Sequence, residues 1–412
     1  MGSSLVSTQN LVESPFIVVK IGNYTFGQCS DLASKYRMKQ SGMVTFPNLM
    51  KSLRIVKVNG AINTYTLVMD YAITNTDDPN MLEKVFGSVS KTRKITLTYG
   101  DWCAPTYIYK EEEALITKIK SNIDFHSSKI TYTINCVSTS LDLKAGTFSF
   151  GPRFGKPSDI IRELLTNEAY GLTNVFTGMK NMSKVNMKSL LASDDKPVQI
   201  EAKQGISILD YIGYLVSCMV SVTDSGGPIK DANYFWNVCD DTTNEYGGTY
   251  FKIVRVASNV NFNVTGSTFE VDVGYPGGNC VSSFAVNTDD TWSILYDYSE
   301  EIKQPQYAYK INDSGYVETY LSPTITTSTG KVKTTEESKT WWTQMTQYPI
   351  TAQLTIKGLL RPSILMSYVK INTYFFGHKH ISSGLYIITK QEDSISDQGY
   401  RTTLNLTRVG GD

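Results

Sequence analysis

Near the C-terminus, three runs alternate apolar and polar side chains, and this limits the fold more than any other feature of the chain. They are Val369, Ile371, Thr373 and Phe375; Leu385, Ile387 and Thr389; and Tyr400, Thr402, Leu404 and Leu406. Successive side chains of a strand point to opposite faces, so each run presents one apolar face to a core and one polar face outward. Gly377, Gly384 and Gly399 fall in the segments between the runs. Three such strands in succession predict a small antiparallel barrel or sheet at the end of the chain.

The same signal recurs upstream. Phe16–Ile21 is an apolar run, and Leu53–Val58 leads into Asn59-Gly60, read as a tight hairpin turn because both residues tolerate positive φ. The return strand places Tyr65, Leu67, Met69, Tyr71 and Ile73 on one face, and Ile95, Leu97 and Tyr99 mark another strand. Between them, Asp77-Asp78-Pro79 opens a short helix carrying Met81, Leu82, Val85 and Phe86. Ile119–Phe125 and Ile130–Cys136 form a hairpin across Ser127-Ser128.

Glycine and proline cluster at 146–157. A helix follows, capped by Ser158 or Asp159, with Ile160, Ile161, Leu164 and Leu165 as its buried stripe. The stretch 178–200 reads as a long loop, and Ser207–Met219 as a second helix with Ile208, Ile212, Leu215 and Met219 at helical spacing. Strand signals return at Tyr250–Val256, Phe269–Val273 and Trp292–Tyr298. Thr334-x-x-Glu337 is a capping box before Trp341, Trp342 and Met345. These signals divide the chain into a polar leader (1–14), a first β-barrel-like domain (15–145), a helix-containing middle region (146–248), β segments with an exposed polar excursion (249–333) and a closing β-barrel-like domain (334–412). The expected fold class is α+β and β-dominated: two antiparallel β-barrel-like domains with a helix-containing middle region.

Composition narrows the function. Lys plus Arg and Asp plus Glu are 39 each, so the net charge is zero, which argues against a general binder of nucleic acid or anionic membrane. Charged residues make up only 19% of the chain and Tyr numbers 26, which suits a β-rich protein that buries surface in an assembly. No secretory signal and no apolar run long enough to span a membrane is present, so synthesis in a cytosol and no stable membrane insertion are expected. Cys29, Cys103, Cys136, Cys218, Cys239 and Cys280 lie far apart with no C-x-x-C pair and read as reduced core thiols.

No constellation supports catalysis. Asp224-Ser225-Gly226-Gly227-Pro228 resembles the nucleophile segment of chymotrypsin-like enzymes. However, Thr223 precedes it in place of glycine, and His126, the only upstream histidine, lacks that family's context. Gly151-Pro-Arg-Phe-Gly155-Lys156-Pro157 is one residue short of a phosphate loop and has Pro157 where the metal-holding hydroxyl belongs. His378 and His380 share a strand face, with Glu392 or Asp393 as conceivable third ligands, but two imidazoles are too few for zinc and no metal site is read. Glu111-Glu112-Glu113, Asp240-Asp241, Asp289-Asp290 and Glu300-Glu301 read as solvated turns rather than a glycosidase pair. Lys91-Thr-Arg-Lys94 and the lysine-rich 180–188 stretch read as exposed loop faces, and Trp341-Trp342 as a partner anchor or an internal staple. Catalytic residues, cofactor-binding residues and metal ligands are therefore all read as none.

The wording of the closing segment, 350–412, resembles the final β-domain of phage baseplate hub proteins. A strand leads to Gly377-His378 and a Ser383-Gly384 turn, then Tyr386-Ile387-Ile388, a Gly399-Tyr400-Arg401-Thr402 turn and a last Leu404-x-Leu406-x-Arg408 strand. The helices within 155–220, including Gly205-Ile-Ser-Ile-Leu-Asp-Tyr-Ile212, are similar to those between that family's two β-domains. The family is the hub group of contractile phage tails, related to late-control protein D and to the first half of type VI secretion spike proteins. The resemblance implies a homotrimeric ring of pseudo-sixfold symmetry, a symmetry adaptor that meets the tail tube on one side and seats the central spike on the other. Neighbouring baseplate proteins are the further partners, the virion is the location, and the bacterial host cytoplasm is the site of synthesis. It implies no catalytic residue and no cofactor. The chain stops two glycines past its last strand, so spike, OB-fold and lysin modules are expected on separate proteins. A carbohydrate- or receptor-binding tail protein is the alternative, followed by a cell-wall hydrolase.

Overall fold

The alternating runs become strands, and the strands join into one sheet. In the computed structural model the described residues are 12, 14–22, 24–28, 44–47, 49–73, 80–89, 94–101, 108–167, 170, 172, 187, 195–219, 232–240, 248–257, 269–274, 281–288, 307–311, 317–321, 325–326, 332–333, 350–360 and 365–410. The first strands are β1 (Pro15–Ile21), β2 (Tyr24–Gln28), β3 (Val44–Pro47), β4 (Met50–Val58) and β5 (Thr64–Ala72). After helix α1 (Met81–Val89) come β6 (Lys94–Asp101), β7 (Ile108–Asp124) and β8 (Lys129–Ser138). A 3-10 turn at Thr139–Leu143 leads into the middle of the chain. There lie β9 (Phe148–Phe150), β10 (Arg153–Gly155), α2 (Pro157–Thr166), β11 (Val198–Ile200), β12 (Lys203–Ile206), α3 (Ile208–Ser217), β13 (Ala232–Cys239) and β14 (Tyr250–Ala257). Next are β15 (Phe269–Val273), β16 (Val281–Thr288), β17 (Tyr307–Ile311), β18 (Val317–Leu321), β19 (Ile325–Thr326) and β20 (Val332–Lys333). The chain closes with β21 (Ile350–Lys357), β22 (Tyr368–Phe375), β23 (His378–Lys379), β24 (Gly384–Ser396) and β25 (Gly399–Gly410).

The main sheet has 15 strands, in the order β16-β21-β25-β24-β4-β5-β8-β7-β6-β1-β2-β3, with β22, β15 and β23 attached beside β24. It is antiparallel except where β2 meets β3 and β15 meets β22. The sequence led us to expect two separate barrel-like domains. Among the described residues no closed barrel is found, and β24 joins both ends of the chain into one sheet. Its first residues pair with β22 and its last, Lys390–Ser396, with Val58–Ser52 of β4, while β25 runs along its length. Register shifts at Leu385/Tyr386 and Ile388/Lys390 bend the strand between these two duties.

Three apolar cores result. The first gathers Ile17, Leu53, Leu67, Leu97 and Ile134 from the early strands and also takes in Leu360, Ile395 and Tyr400 from the closing segment. The second packs α2 and α3 with β13 and β14 through Ile161, Leu165, Ile212, Trp236 and Phe251, and Phe150 stacks on Tyr211 at 3.8 Å. The third holds Leu354, Val369, Ile387, Leu404 and Leu406. Cys136, Cys218 and Cys239 are buried thiols outside any disulfide, and burial pushes the Cys136 thiol up to about 12.

Local expectations fared unevenly. The stripes of α2 and α3 are buried as read, and Ser207 caps α3 by accepting from the Asp210 N–H at 3.1 Å. Neither Ser158 nor Asp159 caps α2. Pro157 takes the first helical position, and the Ser158 hydroxyl and N–H both donate to Asp195, at 2.5 and 2.9 Å. Asn59-Gly60 is not a two-residue hairpin turn. Only Gly60 has positive φ, at +70°, and the pairing of Val56 with Thr64 leaves a longer loop between the strands. Gly60 is the third residue of a turn closed by Ala61 N–H to Val58 O, and its bare Cα lies under the Trp236 ring, 3.2 Å from where a Cβ would stand. Leu385, Tyr386, Ile387 and Ile388 are all buried, so β24 begins as a strand covered on both faces rather than an alternating one. The stretch read as helix-containing also holds the buried strand β13, and the polar excursion contains the paired hairpins β17–β18 and β19–β20. Asp77–Pro79, Trp292–Tyr298 and the Trp341-Trp342 segment lie outside the described residues.

Candidate functional site

Where β4 receives β24, the interior is polar. Lys110, Glu112, Ala114 and Ile116 share the inward face of β7, and all four are buried, Glu112 with no exposure at all. Glu112 Oε1 accepts from Lys57 Nζ of β4 and, at 2.7 Å, from Tyr99 OH of β6; Oε2 accepts from Tyr65 OH of β5 at 2.5 Å. Burial opposes its charge, yet Lys57 and Lys110 beside it, with the Lys57 and Tyr65 hydrogen bonds, hold the carboxyl at about 2. Burial next to this carboxylate drives the Tyr65 and Tyr99 phenols well above their usual range.

The network continues into the closing strands. Asp393 of β24 is buried and accepts from Thr402 Oγ1 at 2.7 Å and from Gln391 Nε2 at 2.6 Å, and the Leu359 N–H donates to Thr402 Oγ1 at 2.9 Å. Burial raises the Asp393 carboxyl, with Thr402, Lys110 and Lys57 pulling the other way. Burial, with Asp393 and Glu112 nearby, drives the Tyr400 phenol well above its usual range, and its ring lies 6.5 Å, centroid to centroid, from Tyr99. On the opposite side Asp240, just after β13, joins through Ser140 and Asn63. Groups from the early strands, the middle region and the closing strands thus meet in one buried joint. The joint can fix orientation, since removing one member of a buried ion pair strands the other. Glu112 is sealed from any substrate.

The outer surface contrasts with this joint. Pairing of β6 with β7 ends at Leu115, and every residue from Thr117 to Ser128 is exposed. Beyond that point β7 has β8 on one side and no strand on the other among the described residues. Ile119, Ile123 and Phe125, the last 85% exposed, line this ribbon. At the far end of the sheet β16 is a second open edge, exposed along most of its length and bearing Val286. A third apolar point is the β22–β23 turn, where Phe376 stands free in solvent with φ at +51° beside exposed Phe375 and Ile381.

The motifs weighed in the sequence separate accordingly. Glu112 is not in a solvated turn. The acidic run lies within β7, where Glu113 pairs with Lys94 at 2.7 Å on the outer face while Glu112 points inward. The phase of Ala114 and Ile116 was the signal that could have found it. Asp240, likewise read as solvated, is buried. His378 and His380 are exposed near Phe375, and His380 Nδ1 contacts Ser382 Oγ at 2.9 Å. Neither Glu392 nor Asp393 approaches them: Glu392 binds Arg54 at 2.7 Å and Asp393 belongs to the joint. Among the described residues no group of three His, Cys, Asp or Glu is placed to hold a metal. The Asp224–Pro228 segment, Asp241, Asp289-Asp290, Glu300-Glu301, Lys91–Arg93 and 180–186 are outside the described residues.

No family model matches the sequence, and no match to a curated protein is found. Solved structures do match, and they are phage tail proteins and relatives of type VI secretion spikes, in agreement with the hub-like resemblance read from the closing segment. The chain is similar in fold, end to end, to the 43 kDa tail protein of prophage MuSo2 from Shewanella oneidensis, at 12% identity and a TM-score of 0.50, with 96% of this chain and 97% of that one covered. A tail protein from Neisseria meningitidis MC58 matches at 8% identity, 96% and 97% coverage and a TM-score of 0.45. A chain of the Francisella PdpA-VgrG complex matches at 13% identity and a TM-score of 0.46, over 98% of this chain and 54% of that one.

Proposed function

We propose that this chain is the structural hub of a phage tail baseplate, one subunit of a homotrimeric ring that joins the tail tube to the central spike. The observation that carries the reading is the likeness of fold to the MuSo2 tail protein across 96% of the chain. Two features of the molecule support it. A buried joint that ties distant parts of the chain together suits a part that transmits load without changing shape. Open strand edges at β7 and β16, bearing apolar side chains, suit contacts between subunits, since a free edge otherwise invites uncontrolled pairing. On this reading the protein is not an enzyme and uses no cofactor. Its partners are the tube, the spike and neighbouring baseplate proteins of a contractile tail, and it resides in the virion after synthesis in the host cytoplasm. We likewise propose 15–145 and 334–412 as the two ring-forming domains, with 146–248 and 249–333 between them and 1–14 as a leader.

The test is the solution mass by light scattering at micromolar concentration, alone and with the cognate spike protein. A mass near three times 45.9 kDa supports the hub. A strict monomer in both samples counts against it, and binding of cell-wall glycan by that monomer would favour the receptor-binding alternative.

A further inference from the structure

Asp240 and Asn63 leave two buried atoms over. Asp240 Oδ2 accepts from Ser140 Oγ at 3.0 Å and faces Asn63 Nδ2 at 3.4 Å. Among the described residues no donor reaches Asp240 Oδ1 or Asn63 Oδ1, the oxygen of the same amide. A carboxylic acid and a primary amide form a cyclic pair through two hydrogen bonds, amide N–H to acid carbonyl and acid O–H to amide oxygen. Here the first contact is in place, and the atoms of the second are the two without partners.

We propose that Asp240 and Asn63 form a proton-operated latch, in which a proton taken from solvent onto Asp240 Oδ1 closes the acid–amide pair and ties β13 to the β4–β5 loop. When the proton leaves, two acceptor oxygens stay buried and the tie loosens; no other bond changes. The loop is already poised against its partners, since the Gly60 N–H donates to Trp236 O at 2.8 Å and the Ser138 N–H to Asn63 O at 3.0 Å. The surroundings favour holding the proton. Burial acts most strongly, the Ser138 and Ser140 hydroxyls oppose it, Glu112 of β7 adds to it, and Lys57 of β4 opposes it, with Tyr65 of β5 also in range; the carboxyl is pushed up to about 6.

Between the ordinary value of 3.8 and about 6, the folded protein keeps a proton that the unfolded chain has released. Stability from this group is therefore full below that window, falls as pH rises through it, and is level above it. The expected size is about a hundredfold in the folding equilibrium.

The experiment compares urea unfolding of the full-length chain and Asp240→Asn at several pH values from 4 to 8. The amide of the variant reproduces the protonated form, donating to Asn63 Oδ1 while accepting from Asn63 Nδ2. The latch predicts that the difference between the two proteins grows by about a hundredfold in equilibrium constant as pH rises through the window, then stays constant. Parallel curves overturn it. Should Asp240→Asn fail to fold, carbon-13 titration of aspartate-labelled wild-type protein with the Asp240 signal assigned decides: an Asp240 midpoint near 6 supports the latch, and one that stays near the ordinary 3.8 overturns it.

Discussion

The two halves of β7 face the same way only because a register shift between Ile116 and Lys118 resets the alternation, and they meet opposite fates. In the first half, Lys110 and Glu112 are polar yet buried; in the second, Ile119 and Ile123 are apolar yet exposed. Facing direction is common to both, and what differs is the company. The inward side of the first half meets Lys57, Tyr65 and Tyr99, which all donate to Glu112. The second half outruns β6, so nothing covers its inward residues. A strand pattern thus specifies a face, and neighbours decide whether that face is a core, a polar joint or an interface.

The comparison is broken most sharply at Glu112. Glu112→Ala should cost about 3–5 kcal/mol, because it breaks the buried ion pair with Lys57 by removing one partner. Urea unfolding measures it, and a loss under about 1 kcal/mol would mean that the joint is wetter and looser than described. The double variant Glu112→Leu with Lys57→Met should lose much less than Glu112→Ala, since replacing both partners removes the stranded charge.

Acid probes the same joint. The Glu112 carboxyl lies at about 2 in the folded protein against 4.5 ordinarily. Its stabilisation is therefore present above 4.5 and is lost as pH falls toward 2, by about 3 kcal/mol in all. Wild type and Glu112→Gln should differ most near neutral pH and converge in acid. A constant difference would place the effect elsewhere.

Gly358 offers a smaller perturbation beside the joint. A Cβ there would overlap the Tyr400 side chain, so Gly358→Ala should displace that ring and cost about 1–3 kcal/mol by overpacking. A melting curve unchanged from wild type would show that the ring moves freely. In the exposed half of β7, Ile123→Ser with Phe125→Ser should leave monomer stability within about 0.5 kcal/mol. The same pair should lower the mass seen by light scattering if this ribbon takes part in assembly. An unaltered oligomer with those substitutions would direct attention to β16.

Much of the sheet was legible. Leu53–Val58, Tyr65–Tyr71, Ile95–Tyr99 and Tyr400–Leu406 alternate because each has one covered face, and period two survives in the sequence whenever that holds. The start of β24 hid its register because Leu385–Ile388 is covered on both faces, and β13 escaped for lack of a clean alternation. The joint was less legible still. A run of three glutamates looks solvated by composition, and only its phase against Ala114 and Ile116 marks the middle one as inward.

The sequence by itself determined the strand faces, the helix stripes and the β-dominated class, because those depend on local periodicity and side-chain chemistry. Only the tertiary structure decided that β24 would bridge to β4, that the strands would join one sheet, and that Glu112, Asp240 and Asp393 would share an interior. These depend on which residues distant in sequence become neighbours. A buried charge survives only where partners from other strands arrive to hold it, and no local pattern records their arrival.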